Sequence, residues 1–423
     1  MKNLNPLLNR RHKTNSMKNF KKTAFIAIAF AIMSCNNNDI SNKAEEDSLS
    51  LTHLPFSVER AEDWSGMFLR RHGWFGGDGI FATTANGVEK EGAAKESETI
   101  IWFSDTMFGD IVNDSLQSGY GMINNSVAYL QGGKPDIASI RFYWDQTPEG
   151  KPKSVFIPQT TATKEKEYYW LGDGFTNQEK NNDIYIFGYR ISNIPGVAVF
   201  GFREEGNTLI TIPANEKPPY KNMHQLDIPF FQNQPVDAVG SFGAGILVNT
   251  AKAGAPEPDG YMYIYGVRGK AKEVMVARVK PADIETFSEW RFWNGTDWTA
   301  DVNNIKPIAD RASNELSVTP LADGRYLMVF QKDGLGKFVG MRLGASPAGP
   351  FGPIIDVYDV SEDLKESKNL FPYNAKAHPV LSEPGELLIS YNINSFDFDK
   401  DIKLFPNLYR PRFIRMKYQL GKE

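Results

Sequence analysis

The sequence predicts an all-β fold, a five-bladed β-propeller built of four-stranded antiparallel blades. Three observations predict it. Short β-branched and aromatic runs recur from residue 55 to the end of the chain, each bounded by Gly, Pro, Asn or Asp turn residues. Five of these runs repeat loosely along the chain. Each of the five follows a companion segment rich in small residues, as the crowded inner strand of a blade should be.

Taken in order, the five runs are Thr99-Ile100-Ile101-Trp102-Phe103-Ser104, Asp183 to Tyr189, Tyr261 to Val267, Arg325 to Gln331 and Glu386 to Tyr391. Their centres are Trp102, Ile186, Ile264, Met328 and Ile389. The steps exceed the ~40–50 residues of familiar propeller repeats, so insertions between strands are expected. The companions are Gly76 to Phe81, Tyr169 to Gly174, Val236 to Ser241, Asn314 to Val318 and Ala377 to Leu381. A pair of β-sandwiches would also give many short strands, but without the Gly-polar companion. Pro281 to Phe287 allows a turn or two of helix. Trp290 to Trp298 reads as an outer strand and hairpin, and Gly240 to Gly245 as close strand packing.

The N-terminus reads as an export signal. Met17-Lys18-Asn19-Phe20-Lys21-Lys22 is basic, and Ala24 to Met33 is an unbroken apolar run. That run is too short for a membrane span, which needs about 20 apolar residues, and has the length of a signal-peptide core. Ile32-Met33-Ser34-Cys35 resembles a bacterial lipobox, whose cysteine is lipidated and becomes the first residue. Residues 1–34 are therefore expected to be a lipoprotein signal (with Met17 a plausible true start), 35–54 a flexible tether, and 55–423 a single propeller domain. An outer-membrane or cell-surface location follows, with the membrane as partner through the Cys35 lipid.

Without residues 1–34 the chain keeps 40 basic and 51 acidic side chains, a net charge near −11. Such a chain repels phosphate backbones, so no nucleic-acid partner is expected. One cysteine excludes an intrachain disulfide framework and a Cys-based zinc site. No Gly-x-Ser-x-Gly elbow, His-Glu-x-x-His or phosphate-loop motif is present. With four histidines beyond the signal, a His-based zinc centre is not expected; no cofactor is, although carboxylates could hold a structural calcium ion.

Inner strands surround a channel, and their starts converge at one mouth. Those starts carry Asp78, Asp173 or Asp237, Glu315 and His378. Convergent carboxylates suit glycoside hydrolysis, in which one is ionised while the other holds a proton for the leaving oxygen. Asp-Gly is also a common turn, so Asp173-Gly174 and Asp78-Gly79 each have a structural alternative. Trp74 and Phe75 upstream, with Gly76-Gly77 permitting close approach, favour a functional Asp78. Asp105 is either a turn cap or part of the rim. Glu315 needs a partner, and Arg311 could supply one. Trp74, Tyr120, Trp170 and Tyr391 are candidate sugar-stacking aromatics, with core packing as the alternative.

Gly77-Asp78-Gly79, Ile101-Trp102-Phe103-Ser104-Asp105-Thr106, Asn124-Asn125-Ser126-Val127-Ala128, Asn314-Glu315-Leu316-Ser317-Val318, Ala377-His378-Pro379, Ser390-Tyr391-Asn392 and Arg410-Pro411-Arg412-Phe413 together resemble the uncharacterised-domain family DUF4185 over about residues 60–418. The resemblance implies a five-bladed propeller related to arabinanases and levansucrases, some members being endo-D-arabinanases. By position Asp78 matches the superfamily's base or nucleophile and Glu315 its acid. The middle-blade Asp is Asp173 or Asp237. On this reading Asp237 would keep the acid protonated, and Asp105, Asn125, His378 and Arg412 would bind hydroxyls, with Trp74, Asp173 and Tyr391 also on the substrate. The absence of an Arg-Asp-Pro triplet speaks against fructans. The expectation is a monomeric glycoside hydrolase acting on a furanose-containing polysaccharide, with a non-catalytic glycan-binding lipoprotein as rival and a protein scaffold as a third reading.

Overall fold

The computed structural model describes residues 50–197, 200–231 and 240–420. Among the described residues, five antiparallel sheets follow one another along the chain as blades, accompanied by a smaller sheet of His72–Gly77, Thr106–Val112, Ser115–Leu116 and Gly121–Ile123 and by the pair Asp145–Gln146 and Pro152–Lys153. Blade 1 is Phe81–Thr84, Thr99–Phe103, Ser126–Leu130 and Ile140–Tyr143. Blade 2 is Tyr168–Asn177, Asp183–Asn193, Phe202–Ile212 and His224–Asp227. Blade 3 is Gly240–Asn249, Tyr261–Arg268, Glu273–Val279 and Arg291–Trp293, extended by Trp298–Thr299. Blade 4 is Leu316–Pro320, Tyr326–Gln331, Phe338–Gly344 and Ile355–Asp359. Blade 5 is Leu370–Ala377, Glu386–Ser395 and Arg412–Tyr418, and its outermost strand is Phe56–Arg60 from the other end of the chain. This is the predicted five-bladed propeller.

The second strand of every blade explains why the sequence reads as it does. Each is buried on both faces, so it is apolar throughout rather than alternating. Ile100 and Trp102 face blade 2 and pack with Ile184 and Ile186. Ile101 and Phe103, one residue out of phase, face blade 5 and pack with Leu388 and Phe413. Tyr185 and Phe187 meet Met262 and Ile264. Tyr263 and Tyr265 meet Met328 and Phe330, and Leu327 and Val329 meet Leu387 and Ile389. Five cores thus sit in the five gaps between neighbouring blades.

Several details differ from expectation. Gly76-Gly77 end a separate strand, His72–Gly77, ahead of the blade 1 inner strand, and the blade 3 inner strand begins at Gly240, the rest of the predicted companion Val236 to Ser241 lying outside the described residues. The inner strand of blade 5 is Leu370–Ala377, so the predicted companion Ala377 to Leu381 lies at its end, in the 3-10 turn Pro379–Leu381. Pro372 stands inside that strand, which is hydrogen-bonded along one edge only, where a proline is tolerated. Short helices at Glu62–Met67 and Phe398–Leu404 were not expected. Pro281 to Phe287 forms the 3-10 turn Pro281–Asp283 and enters a second, Phe287–Glu289. Cys35, the signal, most of the tether and Asp237 lie outside the described residues.

Candidate active site

Asp78 stands just before the inner strand of blade 1. Gly79 next to it has φ +61°, and a Cβ there would lie 2.8 Å from Ser104 Oγ, so the turn presenting Asp78 requires glycine. The turn is fixed by Ser104 N–H donating to Asp78 O (2.7 Å) and Asp78 N–H donating to Asp105 O (3.2 Å). Tyr373 and Tyr409 each donate their hydroxyl to Asp78 Oδ2 at 2.7 Å. Oδ1 is buried without a hydrogen-bond partner. Burial pushes the Asp78 carboxyl up to about 6, against the two tyrosines that favour its ionised form.

Asp105 follows the second strand of blade 1 and accepts from Asn124 Nδ2 at 3.2 Å. Burial, then the charge of Asp78, pushes it up to about 7. Two carboxyls that repel each other in this way give up their protons in successive steps.

Glu315 stands just before the inner strand of blade 4 and is buried. Arg311 is not its partner: that guanidinium pairs with Asp333 at 2.6 and 2.9 Å, on the surface. Glu315 Oε2 has no hydrogen-bond partner. Burial holds its carboxyl well above the ordinary range; Lys376 opposes this, while Asp78 and Asp173 add to it. The three carboxyls are therefore electrostatic neighbours.

Asp173 sits inside the inner strand of blade 2, at a bulge between Leu171 and Gly174. The bulge turns it into the channel. Oδ1 accepts from Gly174 N (3.0 Å), and Oδ2 from Ile246 N (2.9 Å) and Lys376 Nζ (3.1 Å). Burial raises its pKa and Lys376 lowers it. Further along the channel come Glu89, pushed up to about 7 by burial, and His378.

The other predicted residues sit elsewhere. The Asn125 amide is fully buried, donating to Phe156 O (2.9 Å) and accepting from Phe156 N (2.7 Å), so it clamps backbone. Its neighbour Asn124 is the one that reaches Asp105. Trp74 is buried, stacked on Phe142 at 4.4 Å. His378 is buried with Nε2 on Ser390 Oγ (2.7 Å), and burial drives its pKa well below the usual value. It follows the inner strand instead of opening it. Tyr391 donates to Asp363 Oδ2 (2.5 Å), and Arg412 donates to Leu408 O (2.9 Å). These five belong to packing and backbone support, not to the mouth. Tyr373, Tyr409, Asn124 and Lys376 were missed. Tyr373 and Lys376 come from an inner strand placed a few residues late in the sequence reading, and Tyr409 from a loop with no strand signal.

Fold and site together define a five-bladed propeller whose channel mouth gathers buried carboxyls. The chain belongs to the family described as a domain of unknown function, DUF5005, which matches residues 61–418. The match is to this family and does not bear out the DUF4185 label, while the resemblance to a propeller related to glycoside hydrolases stands. Among curated proteins, none matches the chain. A crystal structure from Bacteroides ovatus ATCC 8483, described as a "putative hydrolase", is similar with TM-score 0.66 and 22% identity, over 88% of this chain and 92% of that one. An endo-arabinase from Bacteroides thetaiotaomicron VPI-5482 has TM-score 0.41 and 13% identity, over 84% and 97% of the two chains. An alpha-L-arabinofuranosidase from Clostridium thermocellum ATCC 27405 has TM-score 0.41 and 14% identity, over 84% and 92%.

Proposed function

We propose that the protein is a glycoside hydrolase acting on a furanose-containing polysaccharide, with Asp78 as base or nucleophile and Glu315 as general acid. The observation that carries this reading is the difference among three neighbouring carboxyls. Asp78 and Glu315 each keep a buried oxygen with no protein partner, whereas both oxygens of Asp173 are occupied. Unpartnered buried oxygens are costly unless a ligand or water meets them. Asp173 is then the support, and Asp78 and Glu315 the reacting pair. Their environments suit the roles: two tyrosines favour ionised Asp78, while burial holds the Glu315 carboxyl well above the ordinary carboxylate range. The furanose preference rests on the positional likeness to arabinanase-type propellers, in which a first-blade Asp and a later-blade Glu do the same work.

Release of oligosaccharides from arabinans, arabinogalactans and fructans by the purified protein tests the reading. Asp78→Asn and Glu315→Gln should each lower turnover by about 10²–10⁴ while leaving folding and binding nearly intact. An activated aryl glycoside, whose leaving group departs unprotonated, should rescue Glu315→Gln and not Asp78→Asn. A glycan-capturing protein would bind polymer and show neither effect. We also propose that the protein is an outer-membrane or cell-surface lipoprotein held through a lipid on Cys35. The support is the basic, apolar and lipobox order of the sequence; an unlabelled protein after growth with a fatty-acid probe would end that reading.

A further inference from the structure

Lys376 is 3% exposed, yet it carries the channel's ammonium group. Its strand reaches the axis through a bulge between Tyr373 and Lys376, as the Asp173 strand does between Leu171 and Gly174. The two residues belong to blades 5 and 2, which are not neighbours, so the 3.1 Å contact between them spans the channel. The ammonium also lies 3.9 Å from the centre of the Phe81 ring of blade 1. A cation over an aromatic face and against a carboxylate is held from two sides. Its other titratable neighbours are Glu315 from blade 4, Glu89 from the loop after Phe81–Thr84, and His378 two residues on.

We propose that Lys376 is the built-in cation of this site, a positioning residue that locks Asp173 across the channel and sets the field in which Glu315 works. The proposal rests on the reading of Glu315 as the acid. The strand of Lys376 lies against the one that Glu315 opens, since Ala377 N–H donates to Ser317 Oγ at 2.8 Å, and across that contact the ammonium favours ionised Glu315 while the Asp173 carboxylate opposes it. Removing either one must therefore move Glu315 in opposite directions, which a merely space-filling pair could not do. His378 is held neutral by its burial, and Glu89 is the remaining carboxyl facing the ammonium, so it should move in the same sense as Glu315 when the ammonium is lost.

The test is the titration of the Glu315 carboxyl, followed by carbon-13 NMR on glutamate-labelled protein, with its signal assigned by loss in Glu315→Gln. Lys376→Met should raise its midpoint by about one pH unit or more, and Asp173→Asn should lower it. Lys376→Arg should leave it near the wild-type value. The alkaline limb of kcat/KM should follow the same three directions. An unmoved Glu315 in Lys376→Met, movement of the same sign in Lys376→Met and Asp173→Asn, or an Arg variant as displaced as the Met variant overturns the proposal. If Lys376→Met does not fold, Lys376→Gln decides it: a raised Glu315 midpoint supports the proposal, and an unmoved one overturns it. Expected titrations in a wild-type protein that cleaves no glycan would refute the hydrolase and leave Lys376 standing. A cleaving enzyme without them would refute Lys376 alone.

Discussion

At the scale of single residues, the acid limb of activity should belong to two tyrosines as much as to Asp78. Each hydroxyl donates to the same carboxylate oxygen at 2.7 Å and so favours the ionised form. Tyr373→Phe or Tyr409→Phe removes one donor from the charged state. The Asp78 carboxyl, already up at about 6, should then hold its proton to a higher pH. The acidic limb of kcat/KM should move upward by up to about one pH unit in either variant and further in the double variant. A limb that stays in place would show that the tyrosines position substrate and not the base. Asp78 and Glu315 were legible in the sequence because each directly precedes an inner strand. The tyrosines were not, because they reach Asp78 across separations of 295 and 331 residues, and no local pattern signals that meeting.

Among elements, the five second strands were the legible ones. Burial on both faces forces continuous apolar runs, and such runs stand out from a polar background. Inner strands are less regular, because bulges interrupt three of them and the channel tolerates Pro372, Lys376 and Asp173. The blade 2 bulge is the most exacting. A Cβ on Gly174 would lie 2.3 Å from Tyr185 O and 2.8 Å from Trp102 Cζ2. Gly174→Ala should therefore cost about 1–3 kcal/mol in urea unfolding, since the neighbours are backbone and a packed indole. It should also lower turnover more than it lowers stability would suggest, because the displaced residue next to it is Asp173. A variant as stable and active as wild type would mean that the bulge is not needed to aim that carboxylate.

For the whole molecule, the buried carboxyls set how stability depends on pH. Glu89 and Glu204 are pushed up by burial to about 7 and about 8, and Asp78, Asp105 and Glu315 are raised as well. The unfolded chain binds these protons only near pH 4. Between those values the folded state holds more protons than the unfolded one, so the stability they contribute is complete at low pH and is lost as pH rises through the folded values. His378 works the other way up to its unfolded value, since it must be neutral to be buried, but it is one group against five. Tm should fall between pH 5 and pH 8. Glu204→Gln should flatten the upper part of that slope, as a permanently uncharged amide takes the place of the carboxyl. A Tm that rises with pH over this range would contradict the burial of these groups.

The outermost strand of blade 5 has a consequence beyond architecture. Phe56–Arg60 pairs with Arg412–Tyr418 along its full length, so the last strand of the chain has a partner on each side. A chain cut after Arg60 would expose the row of amide and carbonyl groups on Arg412–Tyr418 that this pairing satisfies. Such an open border is a template for another strand, and the nearest suitable one is the same segment of a second molecule. Loss of this outermost strand would then be read not as slower chemistry but as concentration-dependent association, visible by light scattering and suppressed by adding back the Phe56–Arg60 peptide.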